Sequence, residues 1–134
     1  MIGKSVPRVD AYEKVTGRAK FTDDMILDKC LVAKVCHATI GNGIVKSIDT
    51  SEAEALDGVV KVVTFKDVPN HCYPTPGHPW SVELAHQDVA DRNLLTGRVR
   101  YYGDDIAAVV AEDEVTASRA LKLIKVEYEE YPVV

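Results

Sequence analysis

Residues 101–134 read YYGDDIAAVVAEDEVTASRALKLIKVEYEEYPVV, and the changing period of their apolar positions predicts strand, helix, strand. Residues 106–111 (IAAVVA) contain no polar side chain, as expected of a strand buried on both faces. Asp113 stands where its carboxylate can accept a bond from an unpaired amide of a first helical turn. Ala117, Ala120, Leu121 and Ile124 follow at i, i+3, i+4 and i+7, which places them on one helical face. Arg119, Lys122 and Lys125 fall near the C-terminal end, where positive charge suits the helix dipole. The period then drops to two. Val126 and Tyr128 alternate with Lys125, Glu127 and Glu129, the pattern of a half-buried strand. Pro132 ends the run. Ile124 fits either the helix or the strand, so their border is fixed only to within a few residues.

The elements upstream are shorter. Residues 31–40 (LVAKVCHATI) form a strand candidate. The Gly41-Asn42-Gly43 that follows is a hairpin signal, because both residues of Asn-Gly tolerate positive φ. Residues 44–49 would be the return strand. Ser51 and Glu54 have capping-box spacing, which predicts a short helix over residues 51–56, stopped by Gly58 as a C′ residue. Residues 59–64 (VVKVVT) are rich in β-branched side chains and read as a third strand. Residues 99–102 read as a further short strand, with Gly103 at the turn into residues 106–111. Two regions resist a regular reading. Residues 1–24 are polar and weakly periodic, and read as an extended arm with a short strand at 18–21. Residues 69–97 read as irregular loop: Pro69, Pro74, Pro76 and Pro79 remove amide donors and fix φ. The expected class is α+β, a mixed or antiparallel sheet of about six short strands with one longer and one short helix. There is no internal repeat and no low-complexity tract.

The whole chain has 134 residues, a length that suits a single domain (1–134) with its own core. Its net charge of −5 speaks against a nucleic-acid surface and against an anionic membrane. The start, MIGKSVPRVDAYEK, lacks the apolar stretch of a signal peptide. No apolar run is long enough to cross a bilayer. Three cysteines do not make a disulfide framework. The expectation is a soluble cytoplasmic protein.

Four kinds of site come into question. Cys30, Cys36, His37, His71, Cys72, His78 and His86 are potential metal ligands, but the chain has neither a C-x-x-C pair nor H-E-x-x-H; core cysteines and loop histidines are the plainer account. Cys36 beside His37 resembles a thiol–imidazole pair, yet neighbours in a strand point to opposite faces. Asp23-Asp24, Asp104-Asp105 and Glu129-Glu130 are carboxylate pairs of the kind found at turns and strand ends. Gly41-Asn42-Gly43 lacks the later glycines and the following helix of a phosphate loop. No residue is assigned as catalytic, cofactor-binding or metal-binding.

The chain nevertheless resembles a family. Residues 8–24 (RVDAYEKVTGRAKFTDD) are similar to the start of the molybdenum-binding large subunit of molybdenum hydroxylases, the xanthine dehydrogenase, aldehyde oxidase and carbon monoxide dehydrogenase relatives. Three further blocks match in order: IDTSEA (48–53) with GVVKVVT (58–64) and DVP (67–69); VRYYG (99–103) with AAVVA (107–111); and KVEYEEYP (125–132). The resemblance implies an N-terminal α/β-hammerhead domain, and a fragment of a much longer subunit. It implies that the molybdopterin and the catalytic glutamate belong to later domains. It implies a parent enzyme that hydroxylates a purine, another N-heterocycle or an aldehyde with oxygen from water, passing electrons through iron–sulfur (2Fe–2S) clusters to FAD or another acceptor on other domains or subunits. The fragment itself would be a scaffold without enzymatic activity, its partners the remaining molybdenum-subunit domains and the iron–sulfur and FAD units. A stand-alone α+β interaction module and a small Cys/His metal protein are the alternatives. The chain departs from the family pattern in two places. Gly103-Asp104-Asp105 stands where Gly-Gln-Pro is usual, and Cys36-His37 where Arg-Ser is frequent.

Overall fold

Among the described residues beyond residue 30, six strands carry the chain, and their order in space differs from their order in sequence. The computed structural model describes residues 2–25, 29–74, 83, 85 and 89–133. Strands β1 (Val32–His37), β2 (Gly43–Asp49), β3 (Val59–Thr64), β4 (Arg98–Val99), β5 (Asp105–Ala111) and β6 (Lys125–Glu130) form two three-stranded sheets. The first runs β1-β5-β3 and the second β4-β2-β6. Every pairing is antiparallel.

The C-terminal strand–helix–strand unit forms as its sequence predicts. Asp113 caps helix α3 (Glu114–Leu121), its Oδ1 accepting from the amides of Val115 at 2.8 Å and Thr116 at 2.9 Å. Ala117 and Ala120 are wholly buried against Ala53, Val62, Val109 and Ala111, with Leu121 and Ile124 packed around them. Small side chains at the contact positions let the helix lie close to the first sheet. β6 alternates half-buried Val126 and Tyr128 with exposed Lys125, Glu127 and Glu129. A second cluster of Ala38, Ile40, Val45, Val99 and Ile106 is joined by Phe65, Val126 and Tyr128.

Two local expectations are overturned here. Asn42-Gly43 makes no hairpin, since β1 and β2 belong to different sheets. Gly43 is the first residue of β2, paired with both Val99 and Glu130. A Cβ there would overlap the Glu129 carbonyl oxygen, so the glycine serves a close backbone approach rather than a turn. Residues 38–42 instead cross between the sheets, anchored where the Ala38 amide donates to the Asp104 carbonyl at 2.8 Å and Gly103 N donates back to Ala38 O at 2.9 Å. The Ser51–Glu54 capping box is likewise absent. Helix α2 spans Ser51–Glu54, and the Asp49 carboxylate accepts from Ser51 N at 3.0 Å and Ser51 Oγ at 2.7 Å. The helix is also shorter than residues 51–56: its C-cap is Ala55, so Gly58, at φ 86°, is not its C′ residue and turns the chain ahead of β3.

Residues 1–30 form a separate compact unit. In place of an arm with a strand at 18–21, they contain helix α1 (Ala11–Val15) and a 3₁₀ turn at Thr22–Asp24. Asp10 accepts from Lys14 at 2.5 Å and from Arg8 at 3.1 Å, and Thr16 Oγ1 donates to the Tyr12 carbonyl at 2.7 Å. These short-range bonds are what an apolar-periodicity reading misses. None of the helix's side chains is buried.

Candidate functional site

The residues singled out for chemistry do not converge. Cys30 and Cys72 are exposed and Cys36 is half-buried. Cys72 Sγ donates to Asn93 Oδ1 at 3.2 Å. His78 and His86 lie outside the described residues. Among the described residues, no group of three His, Cys, Asp or Glu side chains is placed to hold a metal. Burial pushes the Cys36 thiol above its ordinary pKa, the opposite of what an activated nucleophile needs. The alternating burial of β1 puts Cys36 and His37 on opposite faces, as strand geometry requires.

His37 has a different partner. Its Nδ1 lies 2.8 Å from Asp105 Oδ1, with both side chains about half exposed. The β1–β5 register sets the two opposite one another, just past a bulge at Cys36/His37. The two positions where the sequence departs from the family pattern therefore meet. Sequence reasoning did not find this pair, and no local signal points to it, because 68 residues separate its members.

Asp104, the neighbour of Asp105, is buried and works on the backbone. Its carboxylate accepts from Arg100 N at 3.1 Å and from Asp105 N at 3.2 Å. The carboxylate pairs thus divide their labour. Asp24 accepts from the Phe21 amide at 2.9 Å, and Glu129 and Glu130 sit exposed on β6.

A polar cleft of about 70 Å³ lies beside residues 91–105, and a wider groove of about 610 Å³ adjoins it along residues 65–70. Three arginines line them, each turned to the protein itself. Arg98 donates to the carbonyls of Gly43 (2.8 Å) and Val99 and to Asn42 Oδ1 at 2.7 Å. Arg100 donates to the carbonyl and carboxylate of Asp91, each at 2.9 Å. Arg92 donates to Tyr101 Oη at 3.0 Å, its guanidinium 5.1 Å above that ring. Asn93 Nδ2 bridges to Asn70 Oδ1 at 2.6 Å. The cleft is a seam that ties the loop to the strands.

These residues do not make a cradle for a pterin cofactor. Among the described residues, the buried polar side chains, Thr64 and Asp104, have local partners: Thr64 Oγ1 donates to Asp67 Oδ2 at 2.7 Å, and Asp104 holds the amides named above. No chemical step is assigned to them.

A two-sheet antiparallel α+β domain, with its polar groups committed to its own turns, is the class that fold and cleft define. The chain belongs to the aldehyde oxidase and xanthine dehydrogenase family as its a/b hammerhead domain, whose family model matches residues 16–132. It is 45% identical over 127 residues to a xanthine dehydrogenase molybdenum-binding subunit of Escherichia coli O157:H7, covering 95% of this chain and 17% of that protein. A nicotinate dehydrogenase large molybdopterin subunit of Eubacterium barkeri is 33% identical over 130 residues, covering 97% of this chain and 28% of the relative. Quinoline 2-oxidoreductase from Pseudomonas putida 86 matches in structure with a TM-score of 0.81 and 31% identity, over 99% of this chain and 17% of that one. The chain therefore spans about a sixth of the length of the first of these relatives.

Proposed function

We propose that residues 1–134 are the N-terminal hammerhead of a molybdenum-hydroxylase subunit, acting as a scaffold that positions neighbouring domains. The parent enzyme is a cytoplasmic oxidoreductase that hydroxylates a purine, another N-heterocycle or an aldehyde. Its molybdopterin, iron–sulfur clusters and FAD are held by other domains or subunits, and the protein's part in such cofactor chemistry is orientation and electrostatics. The observation that carries this reading is the match of residues 16–132 to the hammerhead domain. It is supported by relatives named as molybdenum-binding and molybdopterin subunits, of which the chain spans 17% and 28%. No helix among the described residues is long and apolar enough to cross a membrane.

The test is the intact mass of the native protein from its source, with molybdenum assayed on the same sample. A mass several times that of this chain, with molybdenum bound, is expected. A mass equal to this chain without molybdenum would overturn the reading and leave a stand-alone interaction module.

A further inference from the structure

The first sheet has a covered face and an open one. In an antiparallel sheet, residues directly opposite one another share a face. Val109 lies between Lys34 and Val62, and Ala111 between Val32 and Val59. This is the face that α3 covers, and Val62, Val109 and Ala111 are almost wholly buried there. The other face carries Ala108 between Val35 and Val63, and Val110 between Ala33 and Lys61. Ala33 is exposed, Val35 is 38% exposed, and Val63, Ala108 and Val110 are half-buried. Five contiguous aliphatic side chains thus face outward.

The second sheet shows what an outer face built for water looks like in this chain. Its outward positions include Ser47, Glu127, Glu129, Asp49 and Lys125, with Ser47 Oγ donating to Glu127 at 2.8 Å. The sequence of β6 alternates accordingly. That of β5 does not: residues 106–111 are apolar throughout, which is the composition of a strand covered on both sides. At Ile106, on the same side as Ala108 and Val110, the second core cluster supplies that cover and burial is complete. Beyond Ile106 no described residue continues that cover, while the apolar sequence goes on.

We infer that the face formed by Ala33, Val35, Val63, Ala108 and Val110 is the docking surface for an aliphatic face of another segment of the same, longer polypeptide. This rests on the scaffold reading above. The occupant is assigned within the polypeptide because the chain spans only 17% of a relative to which it is 45% identical, leaving ample chain to supply it. Two of the surface's five positions are alanines, so a helix or sheet can pack on it closely.

The test uses the full-length protein that contains this chain. Ala33→Cys is compared with Ser47→Cys, which sits on the polar outer face of the second sheet. A maleimide is added under native conditions, and labelling is read peptide by peptide so that Cys30, Cys36 and Cys72 are scored separately. The thiol introduced by Ser47→Cys is expected to label at once. That introduced by Ala33→Cys should label about tenfold or more slowly, because access then needs local opening, and should equal the control after denaturation. Equal native rates in a long, molybdenum-bearing protein would overturn the inference and leave the scaffold reading standing. Protection that disappears on dilution to a monomer would assign the face to a second copy and also overturn it. In a second measurement, Val35→Asp is expected to lower the melting temperature of the full-length protein more than Lys46→Asp does. Equal shifts would count against the inference.

Discussion

Three aspartates do the same job in three different turns. Asp49, Asp67 and Asp113 each accept from a hydroxyl and a backbone amide no more than three residues away, through Ser51, Thr64 and Thr116. In each case the hydroxyl bond is the first cause holding the carboxyl below its ordinary pKa. A carboxyl whose folded pKa is depressed contributes stability that is fully present above its unfolded value, about 3.9, and is lost as pH falls through the folded value. Thermal melts should therefore show a melting temperature that is flat above about pH 5 and declines below about pH 4, with a shallower decline in Asp113→Asn. An identical acid limb in the variant would remove Asp113 from the account. Asp104 is a stronger test, being buried. Asp104→Ala strands the amides of Arg100 and Asp105 and should cost about 1–3 kcal/mol in a urea titration. His37→Ala, in contrast, breaks only a half-exposed pair and should cost at most about 1 kcal/mol by the same measurement. Asp113 was legible in the sequence because a cap is a local device. The His37–Asp105 pair was not, because strand register alone creates it.

At the level of elements, periodicity predicted correctly wherever one element packs on one surface. α3 and β6 are of this kind. Their buried faces, Ala117 with Ala120 and Val126 with Tyr128, are those the sequence spacing selects. The close seating of α3 makes a specific demand. Ala120→Leu should destabilise the fold by about 1–3 kcal/mol through overpacking, measured as a drop in the urea midpoint without a change in slope. Ala120→Ser, nearly equal in volume, should cost less. The misreadings have physical causes too. Asn42-Gly43 has the composition of a tight turn, but the Asn42 side chain donates to Pro132 O at 2.6 Å and the Asn42 backbone carbonyl accepts from Tyr131 N at 2.9 Å. A partner about ninety residues away in sequence outweighed the local propensity. In α2, the N-cap is Thr50 rather than Ser51, and the Ser51 amide donates to the Asp49 carboxylate instead.

At the scale of the whole molecule, the α+β class and the family were readable, whereas the division into two sheets was not. Composition and period describe each strand's faces, but they do not say which strands meet. The candidate cleft was also hidden, because nothing local in the sequence marks Arg92, Arg98 and Arg100 until the carbonyls and phenol they grip are in place. The interleaved strand order has a further consequence, which concerns the order of synthesis. β1 and β3 do not pair with each other; both wait for β5, which lies between them. β2 waits similarly for β4 and β6. As the chain emerges from the ribosome, its first three strands therefore have unpaired edges until residues 98–130 follow, so the nascent chain passes through a long interval as an open, β-rich segment exposed to aggregation. Helix α3, formed between the two strands that complete the sheets, emerges just as both can close.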